Sequence, residues 1–202
     1  MRTLRIALAS LLLVAGCSTA EPGQPTAGDP TTTTTPATTT GQPEETTTTT
    51  GAPVHRPKEI DLTAVDICKV VAKLPVRDYG LDGDRPPVGG DSSLFPGAKD
   101  CFAGGIQKNM SLTLIAVTDE GATSFVETAN AEVSTAVAAG FPLSVLKPRQ
   151  PANCFGVLDV HDGQFVFISY GLGSPTEQPV TPQNKLCQTL PTIATATIAA
   201  LG

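Results

Sequence analysis

Tryptophan is absent from the 202-residue chain, which holds two tyrosines, two methionines and two histidines; aromatic residues make up 4% of it. Only His161 lies in the part of the chain able to fold, so a histidine-rich metal centre is excluded and a serine–histidine pair has one candidate base. Charge is also scarce, at 16% of residues with a formal net charge of −6, which excludes the basic footprint of a nucleic-acid binder. The longest apolar run, residues 6–14, is shorter than the roughly 20 residues a membrane-spanning helix requires.

What is present is unevenly placed. Arg2 and Arg5 precede that apolar run, and Ala15-Gly16 closes it before Cys17, the order of a signal peptide over residues 1–16. Val14-Ala15-Gly16-Cys17 resembles the bacterial lipobox, whose cysteine sulfur receives a diacylglycerol and becomes the new N-terminus. The expectation is a palmitate-type lipid anchor at Cys17 holding the protein at the extracytoplasmic face of the cell membrane, since two acyl chains anchor stably where one does so only marginally. Without Arg2 and Arg5 the chain carries eleven basic against nineteen acidic side chains. Residues 17–57 are rich in Thr, Pro and Gly and nearly free of large apolar side chains, too few to offset the entropy of ordering them. They are expected to form a disordered tether, roughly 35 Å across as a coil. It is either a substrate for O-glycosylation or an unmodified spacer.

Residues 58–202 then form one domain. Cys68, Cys101, Cys154 and Cys187 are an even number in an exported segment, the pattern of two disulfides, whereas zinc would need a Cys-x-x-Cys pair that the chain lacks. Three connectivities are open to four cysteines. The expected one joins Cys68 to Cys101 and Cys154 to Cys187, each tying a helix to a nearby strand. Asp66 caps a helix with Ile67, Val70, Val71 and Leu74 on one stripe, ended by Pro75. A Gly- and Pro-rich loop over 77–99 follows. Strands are expected at 101–106 and 111–117, a helix at 122–132, and strands at 142–146, 155–160 and 164–170, the last two joined by a His161-Asp162-Gly163 turn. Thr181 is expected to cap a C-terminal helix with Pro182 at its first position and Pro191 kinking or interrupting it. This order predicts an α+β domain with a mainly antiparallel sheet of about five strands flanked by helices.

Several motifs invite chemistry that their surroundings oppose. Gly90-Asp91-Ser92 matches an esterase nucleophile block, but the preceding Arg85-Pro86-Pro87-Val88-Gly89 is not a buried central strand. Asp82 and Asp84 begin like a calcium loop that Pro86 and Pro87 break. Asp159, His161 and Asp162 would bind a metal only if the strand end gathered them. Gly104-Gly105 reads as a strand bulge or as a place of close backbone approach by a ligand, and Asn109-Met110-Ser111 has the eukaryotic N-glycan pattern.

Asp61-Leu62-Thr63 before Asp66-Ile67-Cys68, the Ser93-Leu94-Phe95-Pro96-Gly97 loop before Cys101, and Cys187 in a last helix, together with the lipobox and Thr-rich tether, resemble the actinobacterial lipoproteins of domain of unknown function 3558. The chain departs from that pattern where Ile67 stands for a proline and Phe102-Ala103 for a cysteine-proximal tryptophan. The resemblance implies a sheet-and-helix sandwich similar in outline to the Mog1/PsbP kind, with no catalytic residue and no cofactor to carry over. The expected function is a membrane-anchored, non-enzymatic binding or accessory domain for an unidentified envelope protein or ligand. The alternative is a carrier of a lipid or other apolar small molecule, held between sheet and helices.

Overall fold

The computed structural model describes residues 55–202; Cys17 and the signal peptide lie outside the described residues, as does nearly all of the tether. The carboxylate of Asp66 accepts from the amides of Cys68 and Lys69 at 3.1 and 3.2 Å and so starts α1 (Ile67–Ala72). A 3₁₀ turn, Val76–Tyr79, follows. Seven strands then form a single antiparallel sheet in the order β1-β2-β3-β7-β6-β5-β4. They are β1 (Val88–Asp91), β2 (Lys99–Gly105), β3 (Met110–Val117), β4 (Ala131–Ala138), β5 (Phe141–Pro148), β6 (Asn153–His161) and β7 (Gln164–Leu172). Between β3 and β4 lies α2 (Ala122–Thr128), and α3 (Gln183–Leu201) closes the chain.

Alternation decides which side chains enter which core. Leu112, Leu114 and Ala116 of β3 point to the face covered by α1 and α3, where they meet Val70, Val71, Leu186, Leu190 and Ile193. Ile115 and Val117 point to the other face and join Phe165 and Phe167 under Phe95 and α2. The rings of Phe95, Phe125, Phe165 and Phe167 pack with centroids 5.2 to 5.7 Å apart, in tilted and edge-on arrangements.

The sheet has seven strands where about five were expected, and both additions are edges. Val88-Gly89-Gly90-Asp91 carries no apolar alternation and falls within the loop expected over 77–99; its extended state comes from pairing with Lys99–Phe102 of β2. A Cβ at Gly89 would stand 3.0 Å from the sulfur of Cys68, a tight contact that favours glycine there. The helix expected over 122–132 ends at Thr128, and Ala131 and Glu132 already belong to β4. Ala and Glu favour helix locally, but eight register pairs with β5 override that preference. The β4–β5 turn is Ala139-Gly140 with φ of 50° and 87°, the primed geometry that matches strand twist. The β6–β7 hairpin turns at Asp162-Gly163, with Gly163 at φ 75°, as expected.

The expected start of α3 is corrected. Pro182 occupies the N-cap and Gln183 opens the helix, while the Thr181 hydroxyl lies 3.7 Å from the sulfur of Met110 instead of capping. Pro191 does not interrupt α3. Leu190 and Ile193, fully buried on either side of it, hold both halves against the sheet and offset the missing backbone bond. No helix among the described residues is long and apolar enough to cross a membrane.

Candidate functional site

On the second face the cover is incomplete. Beyond the phenylalanine cluster the sheet carries a cross-strand row of Val88, Phe102, Thr113, Ser169 and Phe155, each opposite the next. Val88 is 65% exposed and Phe102 44%; Ile106, just past β2, is 67% exposed. Together with Arg85, Ser174 and Glu177 they line an open groove of about 400 Å³. The Phe102 ring lies over Gly104, where a Cβ would come within 3.2 Å of it.

Both walls are tied down. Asn109, buried at φ 50°, donates through its amide to the main-chain oxygens of Ser174 and Glu177 at 2.8 Å each and accepts from the Ser174 amide at 2.8 Å. This clamps the loop after β7, and it occupies the amide that the N-glycan pattern would offer. Asp82 holds the other wall: its amide donates to the Gly104 oxygen at 2.9 Å, its carboxylate accepts from the Ile106 amide at 3.3 Å, and Arg85 stands 3.7 Å away. The groove thus has an apolar floor with a guanidinium and a carboxylate among its lining groups, an arrangement that can hold an apolar side chain and its polar flanks. Sequence reasoning singled out Asn109 only for its glycan pattern and missed its clamping role, which rests on an asparagine at positive φ.

The remaining candidates are placed as follows. Gly104 and Gly105 continue the regular β2–β3 register without a bulge. The close approach at Gly105 is by the chain's own Gly80 oxygen, 2.1 Å from where a Cβ would stand. The Ser92 hydroxyl accepts from the amides of Leu94 and Phe95 at 3.2 and 3.1 Å and shapes the turn that carries Phe95. His161 is at the distant hairpin, 3.5 Å from Glu59. Asp159 and Asp162 converge on a guanidinium: Arg56 reaches Asp159 at 2.5 Å, Asp162 closely, and Glu59 at 3.4 Å. Burial works against the Arg56 charge, but its bonds to Asp162 and Asp159 prevail and hold its pKa above the ordinary value. Burial pushes the Asp159 carboxyl up, and Arg56 draws it back only in part. Among the described residues no three His, Cys, Asp or Glu side chains gather as a metal site. The cysteines are brought together as Cys68 with Cys101 and Cys154 with Cys187, each pair with Cα atoms 5.1 Å apart, linking α1 to β2 and α3 to β6.

No curated protein and no solved structure matches the chain. One family does, over residues 12–200, a span that takes in both cysteine pairs, the groove and every strand of the sheet. The chain belongs to the family of proteins of unknown function DUF3558.

Proposed function

We propose that this protein is a cell-envelope lipoprotein, anchored through a diacylglyceryl group on Cys17, whose domain is a non-enzymatic binding or accessory module. On this reading the antiparallel sheet with helices on both faces is a sandwich of the Mog1/PsbP kind. The observation that carries it is the groove around Phe102, where three large apolar side chains stand in solvent between walls fastened by Asn109 and Asp82. Such a surface suits a partner protein that inserts an apolar side chain. The layer between the sheet and α3 is filled by Leu186, Leu190, Ile193 and Ala194, all without solvent exposure, which favours surface binding over carriage of an apolar cargo inside.

The test is a photo-crosslinking amino acid at position 102 of the full-length protein in its own envelope. A discrete protein adduct is expected there and not with the same group at Leu94, which is more exposed still but outside the groove. Absence of any adduct specific to position 102 overturns the proposal. Anchoring is tested separately: Cys17→Ala is expected to abolish fatty-acid labelling, and equal labelling of variant and parent refutes it.

A further inference from the structure

The two edges of the sheet are built differently. β1 is four residues long, half of it glycine, and its Asp91 pairs with Lys99; a short, charged strand of this kind resists edge pairing. β4 is eight residues long, exposed along most of its length, in regular register with β5 and free of proline and lysine. Its sequence Ala-Glu-Val-Ser-Thr-Ala-Val-Ala combines β-branched side chains with a single charge near one end. Val133 is 42% and Val137 69% exposed, and with Thr135 they share one face of the strand.

We propose that β4 is the docking edge for a second copy of this chain, the two strands pairing antiparallel about a two-fold axis through Thr135. About that residue the strand carries one identical pair, Val133 and Val137, flanked by small side chains. Reading outward, Ser134 stands opposite Ala136, Val133 opposite Val137 and Glu132 opposite Ala138 of the other copy. The two-fold therefore sets each exposed valine against a valine and Thr135 against itself, both favourable cross-strand pairs. It opposes no like charges: the two Glu132 side chains lie six strand positions apart, roughly 20 Å, beyond the screening length of about 8 Å. Each Glu132 also has Lys147 of its own chain at 3.8 Å. Pairing satisfies the outward row of main-chain donors and acceptors that β5 leaves free and joins two seven-stranded sheets into one. This edge is separate from the Phe102 groove, so the dimer does not depend on that proposal.

Register makes the inference sharp. Across the axis the two Thr135 Cα atoms come within about 4.5 to 5.5 Å, the range a disulfide spans, whereas the two Val133 are four positions apart, roughly 13 Å. Full-length Thr135→Cys, oxidised, is expected to run as a dimer on a non-reducing gel, and Val133→Cys is expected to remain a monomer. Light scattering of the unmodified full chain should give the mass of two copies. Val137→Lys should give one while keeping the folded sheet by circular dichroism, since that side chain stands in solvent in the single chain; its melting temperature should lose only what association adds. A single-copy mass for the unmodified chain, or equal cross-linking at positions 133 and 135, overturns the proposal.

Discussion

The hydroxyl of Tyr170 donates to the main-chain oxygen of Tyr79 at 2.8 Å, while the buried hydroxyl of Tyr79 finds no partner of its own among the described residues. Tyr170→Phe leaves a buried carbonyl without its donor and is expected to cost about 1 to 3 kcal/mol of unfolding free energy in urea titrations. Tyr79→Phe removes a polar atom that gains nothing, so it should be neutral or stabilising. Burial pushes the Tyr170 phenol up to about 12. Its contribution is present below the ordinary value of 10 and is lost as pH rises through the raised one, and Tyr170→Phe should flatten that alkaline limb.

The two cross-links each close a 33-residue separation between a helix and a strand. Peptide mapping without reductant should recover Cys68 with Cys101 and Cys154 with Cys187. Replacing Cys154 and Cys187 together by Ser is expected to cost about 2 to 5 kcal/mol, read as a lower thermal midpoint.

The Ala139-Gly140 turn holds an alanine at φ 50°, a conformation costing an L side chain about 1 to 2 kcal/mol. Ala139→Asn should raise the thermal midpoint because asparagine tolerates that geometry. Gly140→Ala should lower it, for two reasons: φ is 87°, and the added Cβ would stand 2.6 Å from Cγ of Pro57.

Asp66 is held below the ordinary carboxylate value of 3.8 chiefly by the amide of Lys69, then by the Lys69 ammonium 3.3 Å away, and least by the amide of Cys68. Its stabilising effect is therefore present above 3.8 and lost as pH falls through the lowered value. Denaturation midpoints of the parent and Asp66→Ala should differ near neutral pH and converge in strong acid. A difference that persists in strong acid would show that the cap works through something other than its charge.

Asn109→Ala removes the bonds that fix one wall of the groove. The backbone carbonyls of Ser174 and Glu177 lose that donor, and hydrogen exchange in the segment after β7 should accelerate while the sheet interior keeps its protection.

The elements with a strong local signal were legible in the sequence. Alternation over Leu112, Leu114 and Ala116 marks β3 and its inner face, Asp66 marks the start of α1, Asp162-Gly163 marks a hairpin, and the spacing of Leu186, Leu190 and Ile193 marks the buried side of α3. In each the deciding interaction lies within a few residues or follows from the period of the backbone. The edges β1 and β4 were not legible, because Gly-Gly carries no periodicity and the alternation of Val133, Thr135 and Val137 follows an Ala-Glu start that favours helix; both become strands through ladder bonds to β2 and β5. The same holds for the groove. Phe102, Ile106 and Val88 are separated along the chain, and Arg56 meets Asp159 across 103 residues. Side-chain period and capping chemistry are properties of the local chain and can be read from it. Which side chains remain in solvent, and which charges meet, depends on how the sheet and its covering layers close over one another, and only the tertiary structure decides that.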